Sequence, residues 1–284
     1  MKRELNVQAL IELLISFSFG AAMLYLAVSN QFLAFVAPRM KPYFIFMAII
    51  SSAWCILAAT KLFKSQHRQR ITPCFVLTVP LMLLFLSQGN APISVSAVNG
   101  NYAGGKTIGT TMASAETIQS KTSSAVYQPS VSSAPKKGMQ AGEGCYKTKN
   151  MYDQPVTIHG FDSKDKKIVI SDKEFYTWVN AIYNDMNKLN GYQVTMTGSV
   201  YKNSETLETN QFVPARLLMT CCTADLEPCG LLCEYSNISS LKKDEWVTVT
   251  GTITKGTYHG NPEPHIVVQN IKPAAPLNGY IYPS

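Results

Sequence analysis

The sequence predicts a membrane-anchored protein in which three transmembrane helices precede an extracytoplasmic OB-like β-barrel domain with one amphipathic helix. Three observations lead to this fold class. Long apolar runs occupy the N-terminal third, a stretch rich in Ser, Thr, Ala and Gly follows, and alternating strand patterns with central glycines recur after residue 145. The 284 residues leave room for about two domains. Only 15% of them are charged, against about 25% in an ordinary soluble protein.

Three apolar runs in residues 1–98 predict membrane spans at about 7–29, 43–63 and 71–90. A helix needs about 20 apolar residues to cross the hydrocarbon core. The first run contains one charge, Glu12, which lies close enough to the end of the run for an interfacial or partner-facing role; a proton or ion role stays open as an alternative. The third run is the shortest and contains Pro73 and Pro80, so a re-entrant or interfacial segment stays open as an alternative.

Lysine and arginine in the short loops predict the orientation, because they favour the cytoplasmic side. Six of them lie before the first run or after the second, whereas the loop between these runs offers only Arg39 and Lys41. The N-terminus is therefore predicted to be cytoplasmic and the part after the third run extracytoplasmic. The net charge of +7 then gives no reason to expect nucleic acid as a partner; the lipid bilayer is the expected one.

Residues 99–144 are predicted to form a flexible linker, since they have few apolar groups and neither helical nor strand periodicity. Order is expected to return in the domain of residues 145–284. Ser171 and Glu174 have the spacing of a capping box, and an apolar stripe from Phe175 to Leu189 precedes Gly191, which predicts an amphipathic helix.

Two similar segments of this domain, "YQVTMTGSVYK" and "EWVTVTGTITK", alternate apolar and polar residues and predict half-buried strands. Gly198 and Gly251 lie in their middles, where a small sheet bends or bulges. With "QFVPARLLMTCC", "GLLCEYSN" and "HIVVQNI" about five strands are expected. Five short strands with glycine-bent corners favour a small OB-like barrel, with the helix as its cap.

Several stretches together resemble a bacterial family, the smaller subunits of a two-gene membrane permease system: "KIVISDKEFYTWVNAIYNDMNKLNGYQVTMTGSVYK", "FVPARLLMTCCTADLEPCG", "WVTVTGTI" and "GYIYP". The family signature corresponds here to Arg216, Cys221, Cys222, Ala224 and Asp225. The resemblance implies a bacterial cell-membrane protein that partners a polytopic permease. Cys229 and Cys233 are extra to the signature, and the loop after the second run contains only His67 where family members have several histidines.

The cysteines of the C-terminal domain leave three interpretations open. The first is a disulfide among Cys145, Cys229 and Cys233 around a buried Cys221, which an extracytoplasmic location permits. If Cys221 and Cys222 lie in a strand, their side chains point to opposite faces, so that one is buried and the other available.

The second interpretation is a zinc or copper site, because thiolates with a carboxylate or imidazole suit these ions. Its candidate ligands are Cys221, Cys222, Asp225, Cys229 and Cys233, with Glu227, His259 or His265 as additions. The third interpretation is thiol–disulfide exchange at the adjacent pair Cys221 and Cys222.

The sequence contains no G-x-S-x-G, H-E-x-x-H, P-loop or G-x-G-x-x-G motif, so we predict neither catalytic residues nor an enzyme. The expected function is an accessory subunit of a membrane permease, whose tethered outer domain binds substrate, metal or the permease. The alternative is a stand-alone membrane-anchored binding protein that responds to metal or redox state.

Overall fold

The computed structural model describes residues 7–62, 93–98, 144–150, 153–277 and 279–283. These residues form two compact units, one built on the N-terminal helices and one on a β-sheet. The predicted third span and most of the predicted linker lie outside the described residues.

The N-terminal unit is a pair of helices, α1 (Val7–Ser29) and α2 (Lys41–Lys61). The segments Ala9–Ser29 and Pro38–Thr60 are long and apolar enough to cross a membrane. Many of their large apolar side chains are exposed, such as Phe17 and Trp54, as expected of a surface that faces lipid. Within the described residues, two of the three predicted spans are thus present as candidates.

The two helices run antiparallel and touch through small residues. Gly20 of α1 lies against Ser51 of α2, where an added Cβ would come within 3.0 Å of the Ser51 Cβ. Ser16, one turn before Gly20 in α1, is also buried. Cys55 donates a hydrogen bond to the Leu13 carbonyl at 3.8 Å. In a lipid bilayer the hydrophobic effect does not drive helices together, because lipid tails are as apolar as the side chains. Helix interfaces there are instead rich in small and weakly polar residues.

The C-terminal unit is a nine-stranded sheet with two helices between its third and fourth strands. The strands are β1 (Gly144–Lys149), β2 (Pro155–Asp162), β3 (Lys167–Val169), β4 (Gln193–Tyr201), β5 (Gln211–Leu218), β6 (Glu227–Cys229), β7 (Leu232–Glu234), β8 (Trp246–Tyr258) and β9 (Asn261–Pro273), and the helices are α3 (Phe175–Asn184) and α4 (Met186–Leu189).

Five of these strands close into a barrel, in the order β4, β8, β9, β7, β5 and back to β4. All neighbours are antiparallel except β7 and β9. Gly198 lies where β4 passes from β8 to β5, and a Cβ there would come within 2.4 Å of the Pro214 backbone. A register shift between Thr250 and Gly251 bulges β8. Both central glycines therefore serve the curvature of the barrel, and the predicted β-barrel is confirmed.

The sequence patterns predict these five strands but miss four others. β1, β2 and β3 form an extension joined to β4 through a parallel pairing of β3. β6 pairs with the end of β5. The strand expected over "QFVPARLLMTCC" also ends earlier than predicted, at Leu218, so Cys221 and Cys222 lie beyond it.

The predicted helix is present as α3 and α4, interrupted at Asp185. Its apolar stripe is core as expected: Phe175, Trp178, Ile182 and Leu189 are all buried in one cluster with the barrel strands. The capping box is wrong, because helix α3 begins at Phe175 rather than after Ser171 and has no side-chain cap.

A short segment before the predicted linker also belongs to the C-terminal unit. Residues Val95–Ala97 form one 3₁₀ turn, and Val95 is buried. The Ser96 backbone N–H donates to Asp244 Oδ1 at 2.9 Å, and the Ser96 hydroxyl donates to Asp244 Oδ2. We call residues 93–98 the strap.

Candidate thiol–carboxylate site

The signature cysteines lie on the connection between β5 and β6, over residues 219–226. Met219 and Leu226 are buried at its two ends and so fix the connection to the domain. Ile281 flanks it: the Met219 N–H donates to the Ile281 carbonyl, and the Ile281 N–H donates to the Leu217 carbonyl, both at 2.9 Å. The C-terminal "GYIYP" stretch thus supports the segment that carries the cysteines.

Cys221 and Cys222 both lie half-buried, with their Sγ atoms 3.6 Å apart. The expectation that they point to opposite faces fails because its premise of a strand fails. β5 ends at Leu218, and the chain turns into a 3₁₀ segment at Thr223–Asp225. Off the strand, adjacent side chains need not alternate, so the two sulfurs converge.

Asp225 completes the site. Its Oδ1 accepts a hydrogen bond from the Thr220 backbone N–H at 3.0 Å, which orients the carboxylate across the connection. One ligand atom each of Cys221, Cys222 and Asp225 lies within 4.8 Å of the others, and all three residues are half-buried. We call these residues the thiol–carboxylate cluster; it has the donor types of a site for a borderline or soft metal cation.

Arg216, the first residue of the signature, makes its contacts elsewhere. Its guanidinium is buried and forms an ion pair with Asp172, just before α3. The ring centroids of Phe175 and Trp246 lie 5.9 and 5.4 Å from its Cζ, within the range of cation–π attraction. These contacts tie the start of α3 to the barrel, so the structure places Arg216 in a packing role.

The extra cysteines Cys229 and Cys233 are fully buried members of the hydrophobic core. Burial raises the pKa of Cys229 to about 12, with a smaller contribution from Glu227. Burial likewise raises the pKa of Cys233, together with Glu234. Neither thiol belongs to the thiol–carboxylate cluster found among the described residues.

The remaining candidates lie apart in the fold. Cys145 is exposed on β1, and like Cys229 and Cys233 it is a thiol in this structure. His259 lies in the turn after β8 with a positive φ of 47°. His265 is buried on β9, where its Nδ1 lies 2.7 Å from Glu234 Oε1. Neither histidine joins the thiol–carboxylate cluster.

Glu227, an additional candidate ligand, interacts electrostatically with Asp225 of the cluster. It begins β6, and burial raises its pKa, with a further contribution from Asp225. Both causes disfavour the charged form of Glu227. Ile281 was missed as a support of the site, since its contacts join residues more than 60 positions apart and leave no local pattern.

Two comparisons with known proteins bear on the C-terminal domain. Residues 146–283 match the family model described as the DUF1980 C-terminal domain. UPF0703 protein YcgQ of Bacillus subtilis (strain 168) is 28% identical over 115 residues, which cover 40% of each chain. The C-terminal domain is thus similar to proteins of a bacterial family of uncharacterised function.

Proposed function

We propose that this protein is a membrane-anchored accessory subunit of a bacterial transport system. In this proposal three N-terminal helices dock beside a polytopic permease, the N-terminus is cytoplasmic, and the C-terminal domain lies outside. The thiol–carboxylate cluster presents the transported ligand to the permease, and the chain itself performs no chemistry.

The convergence of Cys221, Cys222 and Asp225 is the observation that carries the proposal. One ligand atom from each of the three residues lies within 4.8 Å of the others, and all three residues are half-buried rather than enclosed in the core. The helix hairpin supports the membrane part, because its exposed side chains include Phe17, Phe46 and Trp54. Apolar surface of this kind needs lipid or a membrane partner.

The barrel is of the OB-like type in this proposal. When the barrel strands β4, β5, β7, β8 and β9 are numbered 1 to 5 along the chain, they pair in the order 1-2-3-5-4-1. The pair of strands 3 and 5, which are β7 and β9, is parallel. OB-like barrels act as binding modules rather than as catalysts in many settings. The cluster follows strand 2 directly, so a binding role agrees with this architecture.

Affinity purification of the full chain from its native membrane in mild detergent, followed by mass spectrometry, tests the proposal. A stoichiometric polytopic permease is the expected companion. Recovery of the chain alone, or only with copies of itself, would overturn the subunit assignment and favour a stand-alone binding protein that responds to metal or redox state.

A further inference from the structure

We infer that the thiol–carboxylate cluster binds one divalent cation of the zinc class with three protein ligands and one exchangeable position. This inference names the ligand of the site and rests on the proposed function only for its location outside the membrane.

The distance between the sulfurs fits a tetrahedral ion. With Zn–S bonds of about 2.3 Å, two thiolates of a tetrahedral site lie about 3.8 Å apart. The Cys221 and Cys222 sulfurs lie 3.6 Å apart, which a small rotation about either side chain would adjust. A two-coordinate ion, as copper(I) often is, holds its sulfurs on opposite sides and hence farther apart, so the spacing favours the tetrahedral ion.

The third donor points the same way. Thiolates and thioethers alone select copper(I), whereas a carboxylate among them suits a borderline divalent cation such as Zn²⁺. Asp225 is already oriented by the Thr220 N–H at 3.0 Å, in the manner of the outer hydrogen bonds that fix metal ligands.

The adjacent thiols are protected from the disulfide that an oxidising compartment would otherwise impose. Consecutive Cα atoms are about 3.8 Å apart across a trans peptide, below the range of about 4.4 to 6.8 Å that disulfides span. A bond between Cys221 and Cys222 would be strained and easily reduced. Cys221 and Cys222 are thiols in this structure, and they release their protons to solvent as the metal binds.

Three ligands leave one position open. Structural zinc sites are closed by four protein ligands, whereas sites that exchange or activate a ligand keep one position for water or substrate. Within the described residues the cluster consists of Cys221, Cys222 and Asp225. The buried thiols of Cys229 and Cys233 stand apart from it.

The balance of charge agrees with loading by a dication. The two thiolates and the Asp225 carboxylate carry three negative charges. The guanidinium of Arg216 is committed to Asp172 and does not neutralise the cluster. One Zn²⁺ would reduce the overall charge of the cluster to about −1. With no fourth protein ligand among the described residues to complete its coordination, the ion can be transferred to another site.

The test uses the reduced, metal-free full chain in detergent and titrates it with Zn²⁺, and with Co²⁺ as a spectroscopic stand-in. We expect one equivalent to bind, with a thiolate-to-Co²⁺ charge-transfer band and the intense visible bands of tetrahedral cobalt. Cys222→Ser should weaken binding by roughly 100-fold or more, since even outer-shell partners are worth about 10 to 100-fold. Asp225→Asn keeps an oxygen for the Thr220 N–H, so it should weaken binding while it preserves the fold.

Cys145→Ser is the matched control, because it removes an exposed thiol outside the cluster; it should bind as the unchanged chain does. The inference is overturned if the reduced chain binds no Zn²⁺, if the cobalt bands are the weak ones of octahedral coordination, or if Cys222→Ser and Asp225→Asn bind as tightly as the control. A missing permease in the purification above would leave each of these results unaffected, so the two failures are distinguishable.

Discussion

At the scale of single residues, the buried thiol of Cys229 makes the domain sensitive to alkali. Its pKa is raised from 9.0 to about 12 by burial, so its contribution to stability is complete below about pH 9 and is lost as the pH rises towards 12. At pH 10, ionisation of the Cys229 thiol stabilises the unfolded state relative to the folded state by on the order of 1 kcal/mol.

Cys229→Ala should flatten this alkaline loss, although it lowers stability at pH 7 by leaving a small cavity. Unfolding free energies at pH 7 and pH 10 measure both effects. The assignment would be contradicted if Cys229→Ala lost as much unfolding free energy between pH 7 and pH 10 as the unchanged chain does. Burial also raises the pKa of Tyr146, but this residue contributes equally to both chains.

Substitution of Arg216 tests whether this signature residue acts in packing rather than in ligand binding. Arg216→Lys should destabilise the domain by about 1 to 3 kcal/mol, because the planar contacts with Phe175 and Trp246 are lost and a buried ammonium replaces the guanidinium. Its zinc affinity should stay within about twofold of the unchanged chain, as measured by competition with a chelating dye. The exposed Lys164→Gln serves as control. A large loss of metal affinity at full stability would contradict the packing role.

The sequence identified Cys221, Cys222 and Asp225 as candidates but left the use of each cysteine open. The sequence shows residue types and a shared signature. The convergence of the two sulfurs, in contrast, depends on where strand β5 ends in the folded protein. Leu218, the last residue of β5, forms a bridge to Ile281, a contact between distant positions that leaves no local sequence pattern. Arg216 was grouped with the cysteines for the same reason, since its partners Asp172 and Trp246 lie far from it in the chain.

At the scale of elements, the strap makes residues 93–98 part of the folded domain. Ser96→Ala removes the hydroxyl bond to Asp244 and should lower stability by about 1 kcal/mol. Ser94 is exposed in the same segment, so Ser94→Ala should change stability little. The thermal unfolding midpoints of the two full-chain variants measure both effects. Equal midpoints for the two variants would indicate that the strap contributes nothing to the fold.

The barrel strands and the α3 stripe were predictable because their periods of two and 3.6 residues reflect one buried face each. β1 was not, because "GCYKTK" alternates only weakly and lies at the edge of the sheet. The start of α3 was misplaced because Glu174 does not close a capping box. Its carboxylate accepts hydrogen bonds from the Ser171 hydroxyl and the His159 backbone N–H.

At the scale of the whole molecule, the proposed orientation can be tested through Cys145, which is exposed on β1. A membrane-impermeant maleimide added to intact cells should label it, and Cys145→Ser should lose that share of the label. Labelling of Cys145 only after the cells are opened would place the domain in the cytoplasm and contradict the orientation. The number of spans was predictable only as a count of apolar runs, of which Val7–Ser29 and Lys41–Lys61 are helices in the structure.

The central claim is that the thiol–carboxylate cluster is a ligand site and not a structural element. The most direct test compares thermal unfolding of the unchanged chain with the double variant Cys221→Ser plus Cys222→Ser, each with and without Zn²⁺. We expect nearly equal midpoints without metal, and a rise with Zn²⁺ in the unchanged chain alone, because a ligand stabilises the state that binds it. A double variant that is strongly destabilised without metal, or a chain whose midpoint zinc does not raise, would contradict the claim.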